Sequence, residues 1–105
     1  MYIMSKIVVG KKADIPSGKM VHIEAGGKDV LVTNIDDNFY AMSDICTHAG
    51  ANLHEGELNG KEVTCPWHGS KWDVTTGKLI WFPSKIKDEE TYKVTVEGDT
   101  VYLEV

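Results

Sequence analysis

The chain has 105 residues, a net charge of −5 and a hydrophobic fraction of 42%. That size sets one domain, residues 1–105, with a modest core, and the acidic balance argues against a nucleic-acid partner, because it repels phosphate. No basic segment leads into a long apolar run near Met1, and the apolar stretches are as short as Ile7-Val8-Val9. The expectation is therefore a cytoplasmic protein with neither signal peptide nor membrane span.

The predicted elements are short and β-rich. In chain order they are strands over Ser5–Gly10, Lys19–Ala25, Lys28–Ile35, Asn38–Ser43, Glu62–Thr64, Lys71–Asp73, Lys78–Trp81, Thr91–Glu97 and Thr100–Glu104. Val30, Val32, Thr33 and Ile35 enrich the third strand in β-branched residues, and Asp36-Asp37-Asn38 reads as a tight turn after it. Near the end, Tyr92–Val96 and Val101–Val105 flank Glu97-Gly98-Asp99-Thr100, which predicts a hairpin. No segment keeps a helical period over three turns. Ser84 to Glu90 is polar and reads as loop or one turn of helix. The fold class is all-β, a small sandwich or barrel of antiparallel sheets. Between Asp44 and Gly60 the pattern turns loop-like, and a second loop runs from Cys65 through Gly69. Loops on a rigid β scaffold are common sites of chemistry.

Those two loops hold both cysteines, each beside a histidine. Cys46-Thr47-His48 is followed, after sixteen intervening residues, by Cys65-Pro66-Trp67-His68. Each loop therefore offers one thiolate and one imidazole. Without a secretory signal, ligation is favoured over a disulfide. In a cluster with one iron on two cysteines and the other on two histidines, each loop supplies one ligand to each iron.

At these residues the chain resembles the Rieske ferredoxins. The resemblance rests on Cys46-Thr47-His48, Gly50, Cys65-Pro66-Trp67-His68-Gly69-Ser70, Asp73, Thr76-Gly77 and the later Pro83, and extends loosely over the whole chain. It implies three antiparallel sheets and a cluster-binding subdomain at about 44–83. One [2Fe–2S] cluster would be bound by Cys46 and Cys65 on the inner iron and by His48 and His68 on the outer, near the surface. Gly50, Ala51, Trp67, Gly69, Ser70, Trp72 and Pro83 would surround it. Gly50 and Gly69 allow close backbone approach, and Ser70 can donate a hydrogen bond toward a bridging sulfide. Trp67, Trp72, Trp81, Leu53 and Pro83 are candidates to screen the cluster from water. Trp81 and Leu53 read equally as ordinary core.

The ligand set has a charge consequence. Two ferric ions, two sulfides and two thiolates sum to zero, whereas two more thiolates would make a dianion. Adding an electron to the neutral centre is easier, so potentials of roughly −150 to +300 mV are expected, against about −400 mV for plant-type four-cysteine clusters. The free imidazole nitrogens predict coupled electron and proton uptake at alkaline pH.

Departures from the family pattern narrow the reading. Rieske proteins of cytochrome bc complexes have two further cysteines, a membrane anchor and a tyrosine that raises the potential. The first two positions here are Ala51 and Trp67, no anchor is expected, and Trp72 stands for the tyrosine. Ser70 is kept. The chain thus resembles the soluble ferredoxins of oxygenase systems, with an intermediate potential left open. The implied role is that of an electron carrier, not an enzyme. A flavoprotein reductase would supply single electrons and a terminal oxygenase or other reductase would take them, with no nucleic acid and no membrane involved, and the protein monomeric.

Two cysteines and two histidines also make a tetrahedral zinc site, but zinc sites more often use tight same-residue pairs. A cysteine hydrolase leaves the second Cys–His pair unexplained. The small Rieske-like subunit of a nitrite reductase or of another multisubunit oxidoreductase is the alternative function. The oxygenase itself is not expected, because 105 residues leave no room for a separate mononuclear iron domain. His22 reads as solvent-facing and His54 as lying near a docking surface, neither as a ligand. Lys87-Asp88-Glu89-Glu90 reads as a solvated turn or part of a docking face.

Overall fold

A computed structural model describes residues 6–46, 50–67, 69–82 and 87–104. The strands are β1 (Lys6–Lys11), β2 (Met20–Ala25), β3 (Lys28–Ile35), β4 (Asn38–Ser43), β5 (Glu57–Asn59), β6 (Glu62–Thr64), β7 (Lys71–Asp73), β8 (Leu79–Trp81), β9 (Thr91–Glu97) and β10 (Thr100–Glu104). Among the described residues there is no α-helix, and no helix is long and apolar enough to cross a membrane. The all-β expectation holds, with most strand limits within a residue of those expected. β5 and two single 3-10 turns, Lys12–Asp14 and Leu53–Glu55, were not foreseen.

The strands form two antiparallel sheets. The larger has the order β1-β10-β9-β4-β3-β2 and the smaller β5-β6-β7-β8. The expected third sheet is absorbed into the larger one. Its halves join where β4 meets β9, through the pairs Ala41–Tyr92 and Met42–Thr91.

β3 divides the interior. Successive strand residues face opposite sides, and five in a row, Val30 to Asn34, are buried. Val30 and Val32 pack with Ala41 and Leu103 in one core, with Ile7, Val21 and Ile23 against them. Leu31 turns the other way. It lies across from Met42 in the ladder, and both belong to a second core with Leu53, Val63, Trp72, Val74 and the two cysteines. The central strands thus serve as floor to the cysteine-bearing half.

The turn after β3 has Asp36 and Asp37 at φ 52° and 68°, between the paired residues Ile35 and Asn38. Both values match the two-residue hairpin turn whose twist suits the flanking strands. Asn34 Oδ1 accepts the Asp37 N–H at 2.8 Å, which helps hold the turn. Asn34 Nδ2 donates to the Ile15 carbonyl at 2.8 Å, so this buried amide is paired at both ends.

Candidate metal centre

The two cysteine loops are closed in the same way. Cys46 N–H donates to the Ala51 carbonyl at 2.9 Å, and Gly50 N–H returns to the Cys46 carbonyl at 2.9 Å. In the second loop, Cys65 N–H donates to the Ser70 carbonyl at 2.8 Å and Gly69 N–H returns to the Cys65 carbonyl at 3.2 Å. The residues outside each loop also pair, Ile45 with Asn52 and Thr64 with Lys71. Gly50 has φ 73° and Gly69 φ 72°. A side chain at either position would be strained in that left-handed conformation. The sequence carries this signal as Cys-x-x-x-Gly, present twice.

Both cysteines are buried, free of any disulfide, and members of one core. His48, His68 and Pro83 lie outside the described residues, as do Thr47 and Ala49. Among the described residues no group of three or more His, Cys, Asp or Glu side chains is arranged to hold a metal ion.

Ser70 ties the loops together. Its carbonyl closes the Cys65 loop, and its hydroxyl is 3.7 Å from Cys46 Sγ. Trp72 donates its indole N–H to the same hydroxyl at 3.1 Å. An indole only donates, so the serine oxygen accepts there and its own proton is free to point at sulfur. A cluster fits these residues chemically: two buried, unbridged thiols, with a hydroxyl donor beside one of them.

The screening residues divide into two groups. Leu53 and Trp72 are fully buried in the core that holds the cysteines. Trp67 and Trp81 do not screen by burial, being 63% and 52% exposed. Trp67 stands at the tip of its loop and Trp81 on the edge strand β8, where the strand order leaves one side open.

Reading the sequence missed Asp44. It is fully buried, and its carboxylate accepts bonds from Asn52 Nδ2 at 2.9 Å, His54 N–H at 2.7 Å and His54 Nδ1 at 2.6 Å. Its backbone carbonyl accepts Leu53 N–H at 2.7 Å. Asp44 thereby fastens the 3-10 turn of Leu53–Glu55 to the end of β4, two positions before Cys46. A lone aspartate at a strand end looks like any turn residue, which is why the sequence did not mark it.

The downstream Asp73 also has a built environment. Its Oδ1 accepts the Thr75 N–H at 2.9 Å and the Thr75 hydroxyl at 2.6 Å, while Lys61 Nζ is 3.5 Å from Oδ2. Burial pushes the Asp73 carboxyl up, but the Thr75 bonds and the Lys61 charge outweigh it and hold the group below the usual carboxylate range.

Comparison with known proteins agrees with this geometry. Residues 5–101 match the family described as "Rieske [2Fe-2S] domain". The ferredoxin component of the naphthalene 1,2-dioxygenase/salicylate 5-hydroxylase systems of a Ralstonia species is 37% identical over 92 residues, 88% of each chain. Among solved structures, the ferredoxin of carbazole 1,9a-dioxygenase from Nocardioides aromaticivorans IC177 superposes with a TM-score of 0.89 at 28% identity. The match covers 94% of this chain and 96% of that one. A chain from the complex of reduced oxygenase and oxidized ferredoxin in carbazole 1,9a-dioxygenase gives 0.86 at 32% identity, covering 92% and 99%.

Proposed function

The chain belongs to the Rieske [2Fe–2S] domain family, and from that premise we propose that it is the electron-carrying ferredoxin of an oxygenase system, binding one cluster through Cys46, His48, Cys65 and His68. The observation that carries the reading is the pair of equivalently closed loops. Each presents a buried cysteine to the same core, and one serine contacts both loops. The cluster-binding subdomain is residues 44–83 of a single domain, and the carrier acts as a cytoplasmic monomer.

When bound, the cluster takes up and releases one electron at a time. The chain sets the conditions. Cys46 and Cys65 would bind the inner iron, their side chains in the apolar core with Leu53, Val63 and Trp72, which keep water from the sulfurs. His48 and His68 would bind the outer iron. The Ser70 hydroxyl, oriented by Trp72, places a hydrogen-bond donor against the Cys46 sulfur. A donor there stabilises negative charge on sulfur and so favours the reduced state. The exposed indole of Trp67, next to His68 in sequence, gives a partner an apolar contact. The partners are a reductase that supplies the electron and a terminal oxygenase that receives it. Weak binding over a small area suits such redox encounters.

The carrier reading is preferred to a subunit of a larger oxidoreductase because the Ralstonia ferredoxin component matches over most of both chains. The test is electron paramagnetic resonance of the dithionite-reduced protein, with iron and sulfide quantified on the same sample. A rhombic signal of low average g with two irons per chain is expected. A silent, colourless sample holding one zinc would overturn the proposal.

A further inference from the structure

A closed circuit of contacts lies behind the first cysteine loop. Asp44 N–H donates to the Asp29 carbonyl at 3.0 Å. The Asp29 side chain is 2.7 Å from His22 Nε2. The His22 ring stacks on that of His54, with centroids 5.0 Å apart and planes 25° from parallel. His54 Nδ1 closes the circuit on Asp44 at 2.6 Å. Four segments are joined: β2 by His22, the start of β3 by Asp29, the end of β4 by Asp44, and the 3-10 turn of the loop by His54.

Solvent exposure decreases inward along the circuit. The side chains of Asp29, His22 and His54 are 39%, 31% and 28% exposed, and that of Asp44 is fully buried. A buried carboxylate must be hydrogen-bonded or it destabilises the fold. Two of the three donors to Asp44 come from His54. A carboxylate accepts, so His54 carries its proton on Nδ1 in this contact. That fixes the plane of its ring, and the His22 ring limits its remaining freedom. Reading His22 as a solvent-facing residue was correct for its exposure but missed this contact.

We propose that His54 is a positioning residue for electron transfer. It holds Asp44, and through Asp44 the corner where β4 passes into the Cys46 loop, so that Cys46 Sγ keeps its place beside the Ser70 hydroxyl. His22 is the stop against which the His54 ring rests. The inference rests on Cys46 being a cluster ligand. Without the His54 bond the Asp44 corner slackens, the Ser70 donor loses its register with the sulfur, and the reduced state loses stabilisation. A looser corner also releases the cluster sooner.

The experiment compares cluster-loaded wild type, His54→Leu, His54→Asn and His22→Ala. The midpoint potential is read by protein-film voltammetry. The half-life of the visible absorption is read in excess chelator at neutral pH. His54→Leu is expected to lower the potential and shorten the half-life about tenfold, the size of effect that loss of one buried charge-assisted bond produces. His54→Asn puts an amide N–H where Nδ1 stood and is expected to restore both toward wild type. His22→Ala leaves every Asp44 bond in place and is expected to fall between, and it carries the test if His54→Leu does not fold. Variants indistinguishable from wild type in potential and half-life overturn the proposal. So does a His54→Asn potential no closer to wild type than that of His54→Leu, which would reduce His54 to packing. A wild-type chain that takes up no iron overturns the ligand reading itself, which separates that failure from failure of the positioning role.

Discussion

The Ser70 hydroxyl stands 3.7 Å from Cys46 Sγ, and the indole N–H of Trp72 determines which way it points. Ser70→Ala removes the donor to sulfur and leaves the Trp72 N–H without its partner in a fully buried site. The potential should fall, and the fold should lose about 1–3 kcal/mol, the cost of an unsatisfied buried donor. Voltammetry and denaturant unfolding measure the two effects on one preparation. An unchanged potential would show that the hydroxyl does not reach the sulfur in the loaded protein.

Gly77 sits at φ 75°, where a Cβ would strike the Glu89 carbonyl oxygen. The same backbone stretch is held by Glu89 N–H donating to the Gly77 carbonyl at 2.8 Å. Gly77→Ala combines left-handed strain with a backbone clash and should cost about 2–4 kcal/mol. The urea midpoint should drop with little change in slope. A loss under half a kcal/mol would mean that the segment after β8 shifts freely.

Asp73 is held below the usual carboxylate range, so its contribution follows a definite sign. The folded protein keeps the carboxylate charged to lower pH than the unfolded chain does. Its stabilisation is whole above the unfolded value of about 3.9 and is lost as pH falls through the folded value. Asp73→Asn should therefore be less stable than wild type near neutrality, and the gap should close below about pH 4. Unfolding midpoints of both proteins from pH 7 to 3 decide it; a gap that does not change with pH would leave the Lys61 and Thr75 contacts without electrostatic weight.

His68→Cys changes the charge of the ligand set. If the variant assembles a cluster, a third thiolate adds negative charge and the potential should move down, toward the range of four-cysteine clusters. The same replacement would raise the average g value of the reduced signal. A potential equal to wild type would remove His68 from the ligands.

Much of the fold was legible because it depends on local rules. The β-branched residues of Lys28–Ile35 and the aspartates after it defined β3 and its turn, and the alternation of the terminal hairpin was equally plain. β5 escaped because Glu57-Leu58-Asn59 has one apolar residue and low strand propensity; it forms only because β6 is there to pair with it. The exposure of Trp67 and Trp81 was not legible because a large apolar side chain in sequence does not say whether a neighbour will cover it.

The amino-acid sequence by itself determined the ligand residues to be tested, their division between two loops, and the glycines that let each loop turn back on its cysteine. These are properties of residue type and close spacing. The tertiary structure alone decided that Ser70 reaches Cys46, that Asp44 is buried under His54, and that His22 closes the stack. Each of those contacts joins segments brought together only when the strands pair and the apolar face of β3 is covered. Their energies depend on burial and orientation, which no spacing along the chain encodes.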